Sequence, residues 1–404
     1  MVAKSGSQYD AAYARVGLLI YLHEGTSRAT ISRIGGLARS TVGHQVDKLI
    51  EIGLIEERFS QSDGPGRPAR GLHVRADAGY VAGVDLETGG ARLALANLKG
   101  TIVEEIVLKL SIEDEPSKVL TRICDTISQM RGGLDLACLK QTVIGIPAPV
   151  DFARGRPVRP PMMTRWDDFP VRDFAQQILG SPVTVENDTN LAAIAESTQQ
   201  HAYLPLVFLK VASGIGVGII SSDGQVFRGY DGAAGDIGHV QILAQDDRVC
   251  RCGKSGCLEA VASITAILDE LEIATSDTTI DHAEQLQALL RVGDKRAFQA
   301  VHSAARQIGS VASGIIQILN PRMLVVGGAY PEIHDELLSG IRSVVYERAM
   351  PLSTRDLILT PSRLGPRAEI CGAIELACQQ IWSVEMLPTL VESFNHIKPN
   401  TACV

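Results

Sequence analysis

The stretch that most restricts this chain runs Gly235-Asp236-Ile237-Gly238-His239 and, a short loop later, Cys250-Arg251-Cys252-Gly253-Lys254-Ser255-Gly256-Cys257-Leu258-Glu259. Three cysteines spaced C-x-C-x4-C below a histidine offer thiolate and imidazole donors, the ligands of tetrahedral zinc. His239, Cys250, Cys252 and Cys257 would fill all four positions. A filled set leaves no room for substrate, so the zinc is expected to be structural. Gly253 and Gly256 let the backbone double back, so that Cys252 and Cys257 can face one ion. The competing readings are three clustered buried cysteines, or a disulfide with a spare thiol.

Asp236-Ile237-Gly238-His239 followed by Cys-x-Cys-Gly-x-x-Gly-Cys-Leu-Glu resembles the signature of the ROK family, which groups sugar-responsive repressors with sugar kinases. The resemblance implies a two-lobed actin-like (sugar kinase/ribonuclease H-like) α/β body that carries the zinc loop and has a cleft between its lobes. The rest of the chain bears on which branch it follows.

At 404 residues the chain exceeds one ordinary core, and two or three domains are expected. No apolar run approaches the ~20 residues of a membrane span, and the N-terminus lacks a signal-peptide core. These features point to a cytoplasmic protein with reduced thiols. Cys124, Cys138, Cys371, Cys378 and Cys403 are scattered without a pattern. A net charge of −8 argues against a general nucleic-acid binder, but the charge is uneven. Residues 1–80 hold 10 Lys and Arg against 8 Asp and Glu, and the remainder holds 28 against 38. Arg28, Arg33, Arg39 and Lys48, then Arg67, Arg70 and Arg75, concentrate the positive charge. That is the footprint of a DNA-reading head on an acidic body.

The spacing of Val16, Leu19, Ile20 and Leu22 predicts a helix from Asp10 to His23, ended at Gly25. A second begins near Ala29, with Ile31 and Ile34 inward. A third spans Ser40 to Ile52, with Val42, Val46, Leu49 and Ile50 on one face. Leu54 to Arg58 and Gly71 to Val74 read as a two-stranded wing, which completes a winged helix-turn-helix over residues 1–76. In that motif the second helix of the pair enters the major groove, N-terminal residues first. Here those residues are Arg39, Ser40, Thr41, His44 and Gln45. Arg and Gln pair with guanine and adenine edges, whereas Ser and Thr suit phosphates. Asp63 to Arg70 forms a Gly-Arg-Pro loop that fits Arg67, with Arg70 beside it, to a narrow minor groove. The alternatives are a helical bundle for protein contact and a plain stiff linker.

After Ala76 strands alternate with helices, and a first α/β lobe is expected over 77–200 and a second over 201–404. The kinases of the ROK family carry Asp-x-Gly-Gly-Thr-Lys to cradle phosphates; this chain reads Asp85-Leu86-Glu87-Thr88-Gly89-Gly90. Glu87 puts a negative side chain where backbone should approach a phosphate, and Gly90 stands at the lysine position. Met162 takes the place of a family asparagine. By the resemblance, Asn187, Asp188, Asp236, His239 and Glu259 contact the sugar. The family's base is matched by Asp188, and Asp236 stands where the family has Glu. A carboxylate within reach of a hydroxyl suits either base catalysis or binding alone, and Asp188 also reads as a helix cap. The helix Ala368 to Trp382 should cross back onto the first lobe.

The expectation is a sugar-responsive transcriptional regulator, most simply a repressor without enzymatic activity. It would bind operator DNA as a homodimer or homotetramer, with a sugar or sugar-phosphate effector in the cleft and no membrane contact. The alternatives are an active ATP-dependent sugar kinase with an added DNA-binding domain, and a sugar sensor that works through a protein partner.

Overall fold

The computed structural model describes residues 4–59, 70–242, 248–273, 279–328 and 331–383, together with Met386, Leu387 and Val391. Arg67 and the rest of the loop at 60–69 lie outside the described residues.

Three helices open the chain, α1 (Lys4–Leu22), α2 (Arg28–Gly35) and α3 (Arg39–Glu51), followed by the antiparallel hairpin β1 (Ile55–Phe59) and β2 (Arg70–Val74). Val16, Ile20, Ile31, Val42, Val46 and Leu49 are fully buried between the helices, with Leu72 and Val74 of the hairpin beneath them. Ser27 caps α2, its side chain accepting from the Thr30 amide. Ile34, expected inward, is 45% exposed, because the buried face of this short helix is carried by Ile31, Ser32 and Gly35.

The body starts with β3 (Tyr80–Glu87), β4 (Gly90–Asn97) and β5 (Ile102–Lys109), then α4 (Pro116–Gln129) and β6 (Leu139–Ile146). A small ribbon, β7 (Val150–Asp151) and β8 (Arg156–Pro157), precedes α5 (Val171–Leu179), β9 (Val183–Asn187) and α6 (Asp188–Gln199). The first sheet has the order β5-β4-β3-β6-β9, antiparallel on the β5 side of β3 and parallel on the other. Next come β10 (Leu206–Val211), β11 (Ile215–Ile220), α7 (Leu258–Ala262), α8 (Ile264–Glu270), α9 (Thr279–Arg291) and α10 (Lys295–Leu319). The chain continues through β12 (Met323–Gly327), α11 (Pro331–Arg348), α12 (Pro351–Thr354), β13 (Ile358–Pro361) and α13 (Ala368–Ile381). The second sheet runs β11-β10-β12-β13.

The inner strands of each sheet are covered on both faces, as strands with few polar interruptions require, whereas the edge strand β5 leaves Val103 and Val107 exposed. Helices α4 and α5 cover the outer face of the first sheet, and α10 with its neighbours covers the outer face of the second. Between the sheets lie α13, packed on β3, β4 and β6, and α6, packed on β10 and β11. The two lobes therefore exchange helices. Helix α6 follows the first sheet in sequence but packs on the second, and α13 follows the second sheet but packs on the first.

Period-2 alternation then decides what faces this inner layer. On β10, Leu206 and Phe208 point inward and Val207, Leu209 and Val211 outward. The same parity turns Lys210 inward, at the strand end where the layer opens. On β3, a Cβ at Gly83 would meet Ala373 and Ile374 of α13, so the odd positions face that helix. Asp85 and Glu87 follow on the same side.

The N-terminal helices share this inner core. Val16 and Ile20 of α1 belong to one continuous apolar cluster with Ala377, Cys378 and Trp382 at the end of α13. The Tyr21 hydroxyl donates to Glu375 at 3.3 Å, and Lys99 in the β4–β5 turn pairs with Glu24 at 3.0 Å.

Candidate functional site

The cleft between the lobes is lined by the β3–β4 turn, the head of α6, the end of β10, the glycine turn before β11, the loop at 232–239 and the first turn of α13. Asn187, Asp188, Asp236, His239 and Glu259 all line it. Chain topology explains the convergence: β9, β10 and β12 end on the same side as β3 and β6, and ligands of open α/β sheets gather at strand carboxyl ends.

Asn187, rather than Asp188, caps α6. Its Oδ1 accepts from the amides of Thr189 at 3.0 Å and Asn190 at 3.1 Å, and its Nδ2 donates to the Ala148 carbonyl at 3.1 Å. Asp188 is the first helical residue. Its Oδ1 accepts the Thr189 amide at 2.7 Å, and its Oδ2 pairs with Lys210 Nζ at 2.9 Å. Lys210 also pairs with Glu369 of α13 at 2.7 Å. Burial alone would lower the Lys210 ammonium, but Asp188, Glu369 and Asp85 override it and hold the pKa well above the ordinary lysine value. Asp85 is buried beside this group, its carboxyl raised by burial and by the charges of Glu369 and Glu87; its Oδ1 has no partner among the described residues.

Glu87 and Gly90 pair across a tight hairpin with Thr88-Gly89 at its tip. Glu87 lines the cleft, and burial raises its carboxyl. Met162 lines the cleft as well. The opposite wall carries Glu259, at the start of α7. It accepts the Ile215 amide at 3.2 Å, and its carboxyl is raised chiefly by burial.

Spacing pointed to none of Lys210, Glu369 or the ion pair of Arg228 with Glu186, whose oxygen lies 2.7 Å from the guanidinium. Arg228 also stacks on Phe152 at 3.9 Å. A signal for Lys210 did exist: a lysine inside the apolar run Val207 to Ala212 is seldom buried without partners.

A cluster of residues able to hold a metal ion adjoins the cleft through His239. The donor atoms of His239, Cys250, Cys252 and Cys257 all lie within 4.8 Å of one another. His239 Nδ1 is 3.4 Å from Cys250 Sγ, and the Cys252 and Cys257 sulfurs are 3.7 Å apart. Donors held ~2.0–2.3 Å from one tetrahedral centre would stand about 3.5–3.8 Å from each other. The four residues therefore fit a metal ion of that size. Gly253 (φ +86°) and Gly256 (φ +67°) take the left-handed conformation that this turn needs.

On α3, Arg39, Ser40 and His44 are exposed and Thr41 is half-buried. Gln45 is only 2% exposed, which removes it from the set of groove-facing residues. It stands three residues after Val42 and four before Leu49, on the helix's inward stripe, and that position outweighs its polarity. Part of the basic bias is also spent internally. Arg28 pairs with Asp47 at 2.6 Å and Glu57 at 2.7 Å, Arg75 with Asp77 at 2.7 Å, and Arg70 with Glu57 at 3.5 Å. No helix among the described residues is long and apolar enough to cross a membrane.

The chain is 28% identical over 379 residues to the xylose repressor of Caldicellulosiruptor bescii, a match that covers 88% of this chain and 92% of that one. Among solved structures it resembles a ROK family transcriptional regulator described as a homologue of the Escherichia coli MLC protein. That likeness has a TM-score of 0.81 and 26% identity, and it covers 96% of this chain and 100% of the other. A ROK family glucokinase from Streptomyces griseus, solved with glucose and AMPPNP, matches at a TM-score of 0.64 and 25% identity; it covers 74% of this chain and 100% of that one. The family model matches residues 81–380, through both lobes and the metal loop, and the chain belongs to the ROK family.

Proposed function

We propose that the protein is a sugar-responsive transcriptional repressor. Its N-terminal winged helix-turn-helix binds operator DNA, and the interlobe cleft binds the effector through Asn187, Asp188, Asp236, His239 and Glu259. The observation that carries this reading is the likeness to repressors over nearly the whole chain, N-terminal helices included, where the glucokinase match covers 74%. Two heads reading the two halves of a palindrome require a dimer or a dimer of dimers. Arg39, Ser40, Thr41 and His44 face the major groove, and Arg70 sits at the base of the wing, over Phe59 at 4.9 Å. Ala38 gives α3 no side-chain cap, which leaves its first amides for a phosphate. The metal is zinc and holds the loop that carries His239.

The test is enrichment of duplexes from a random pool, followed by competition binding at fixed salt. Arg39→Ala should cost roughly 1–3 kcal/mol and relax preference at one position per half-site. Equal loss on every sequence would reduce Arg39 to a phosphate contact. Gln45→Ala should register in stability and leave base preference alone.

As a regulator the protein should not turn over sugar. Glu87 and Gly90 deny the nucleotide a phosphate cradle, and a coupled ATP assay over hexoses and amino sugars should stay at background. Turnover of about 1 per second or faster would favour the kinase reading.

A further inference from the structure

The cleft is rich in acceptors and poor in free donors. Lys210 lies between Asp188 and Glu369, at 2.9 Å and 2.7 Å. Glu87, Asp236 and Glu259 line the same cleft. Among its described lining residues the other group able to carry positive charge is His239, whose Nδ1 is turned to the metal cluster. Three backbone donors on its walls are spent in the same way. The amides of Thr189 and Asn190, at the head of α6, go to Asn187 and Asp188, and the Ile215 amide goes to Glu259.

We infer that Lys210 is a specificity-determining residue: as the internal counter-ion of Asp188 and Glu369 it closes the cleft to anions, so that the effector is an uncharged, hydroxyl-rich sugar. This deepens the proposed function and rests on its assignment of the effector to the cleft. A sugar hydroxyl brings a donor to carboxylates that have acceptor capacity to spare. The charged group of a sugar phosphate or sugar acid brings only acceptors when fully ionised, and meets like charge at close range in a partly desolvated site. Burial raises the carboxyls of Asp85 and Glu87, which softens the field without reversing it, because two carboxyl groups, Asp188 and Glu369, face the single ammonium of Lys210. The ammonium cannot swing to an incoming phosphate without stripping two buried carboxylates of their cation, at 9% and 7% side-chain exposure.

The experiment is a thermal-shift and calorimetric panel on the full chain. Neutral probes are D-xylose, D-glucose, D-galactose, cellobiose and N-acetylglucosamine; anionic probes are glucose 6-phosphate, N-acetylglucosamine 6-phosphate and glucuronate. At least one neutral sugar should bind and raise the melting temperature, while its phosphorylated or acid form should not. Glu369→Gln, which releases one of the two partners of Lys210, should move the preference toward phosphate esters by on the order of tenfold. A phosphorylated sugar that stabilises the parent as well as its neutral form overturns the inference and leaves the sugar-sensor reading intact. Operator binding with no response to any probe overturns that sensor reading as well. If Glu369→Gln does not fold, the parent panel decides alone.

Discussion

Protein carrying Cys257→Ser should purify with far less than one zinc per chain and should melt well below the parent. Cys257 is fully buried, its sulfur faces Cys252 at 3.7 Å, and Gln241 pairs with it in an isolated β-bridge. Structural zinc contributes an apparent ~10–16 kcal/mol in small zinc-finger peptides at neutral pH, so losing one thiolate ligand should cost several kcal/mol here. The damage should extend to the cleft, because His239 lines it and also faces Cys250. Metal analysis, melting and sugar binding on one preparation check all three effects. A serine variant with parental stability and no metal would mean that the four residues pack without an ion.

The second large effect is expected at the seam between the N-terminal helices and the body. Trp382 is 1% exposed, and a Cβ on Gly17 would fall 2.5 Å from its Cε3 atom, so α1 approaches the indole closely only because residue 17 is glycine. Trp382→Ala should cost about 3–5 kcal/mol through the cavity it leaves. Gly17→Leu should displace α1 without touching the cleft or the metal loop. Helix α13 runs from Glu369 in the cleft to this seam, and its 14 residues span about 21 Å. Gly17→Leu should therefore retain sugar affinity and metal while operator affinity loses its response to sugar. The reciprocity of linkage makes this measurable from either ligand. A variant whose operator binding still responds normally to sugar would show that the seam carries no coupling.

Much of the architecture could be read before any coordinates. Periodicity marked the helices near 10–52, because one buried face leaves a 3.6-residue trace in the sequence. The metal set was legible from spacing, since its ligands lie close in the chain and leave tetrahedral geometry few alternatives. Gln45 was misread because residue type alone cannot say which side of a helix turns inward; its distance from Val42 and Leu49 could have. Asp188 was read as a helix cap, a role that the preceding Asn187 takes through its two amide contacts.

What the amino-acid order determined by itself was local: the Cys-x-Cys-x4-Cys loop and the helix stripes. What only the tertiary structure decided was non-local. Lys210 meets Asp188 and Glu369 because α6 and α13 cross between two sheets, joining residues 188, 210 and 369 at one point. The closure of α1 on Trp382 likewise depends on a helix that returns from the far end of the chain to the first sheet. Such pairings leave no periodic trace, because the geometry that rewards them exists only after both lobes have folded.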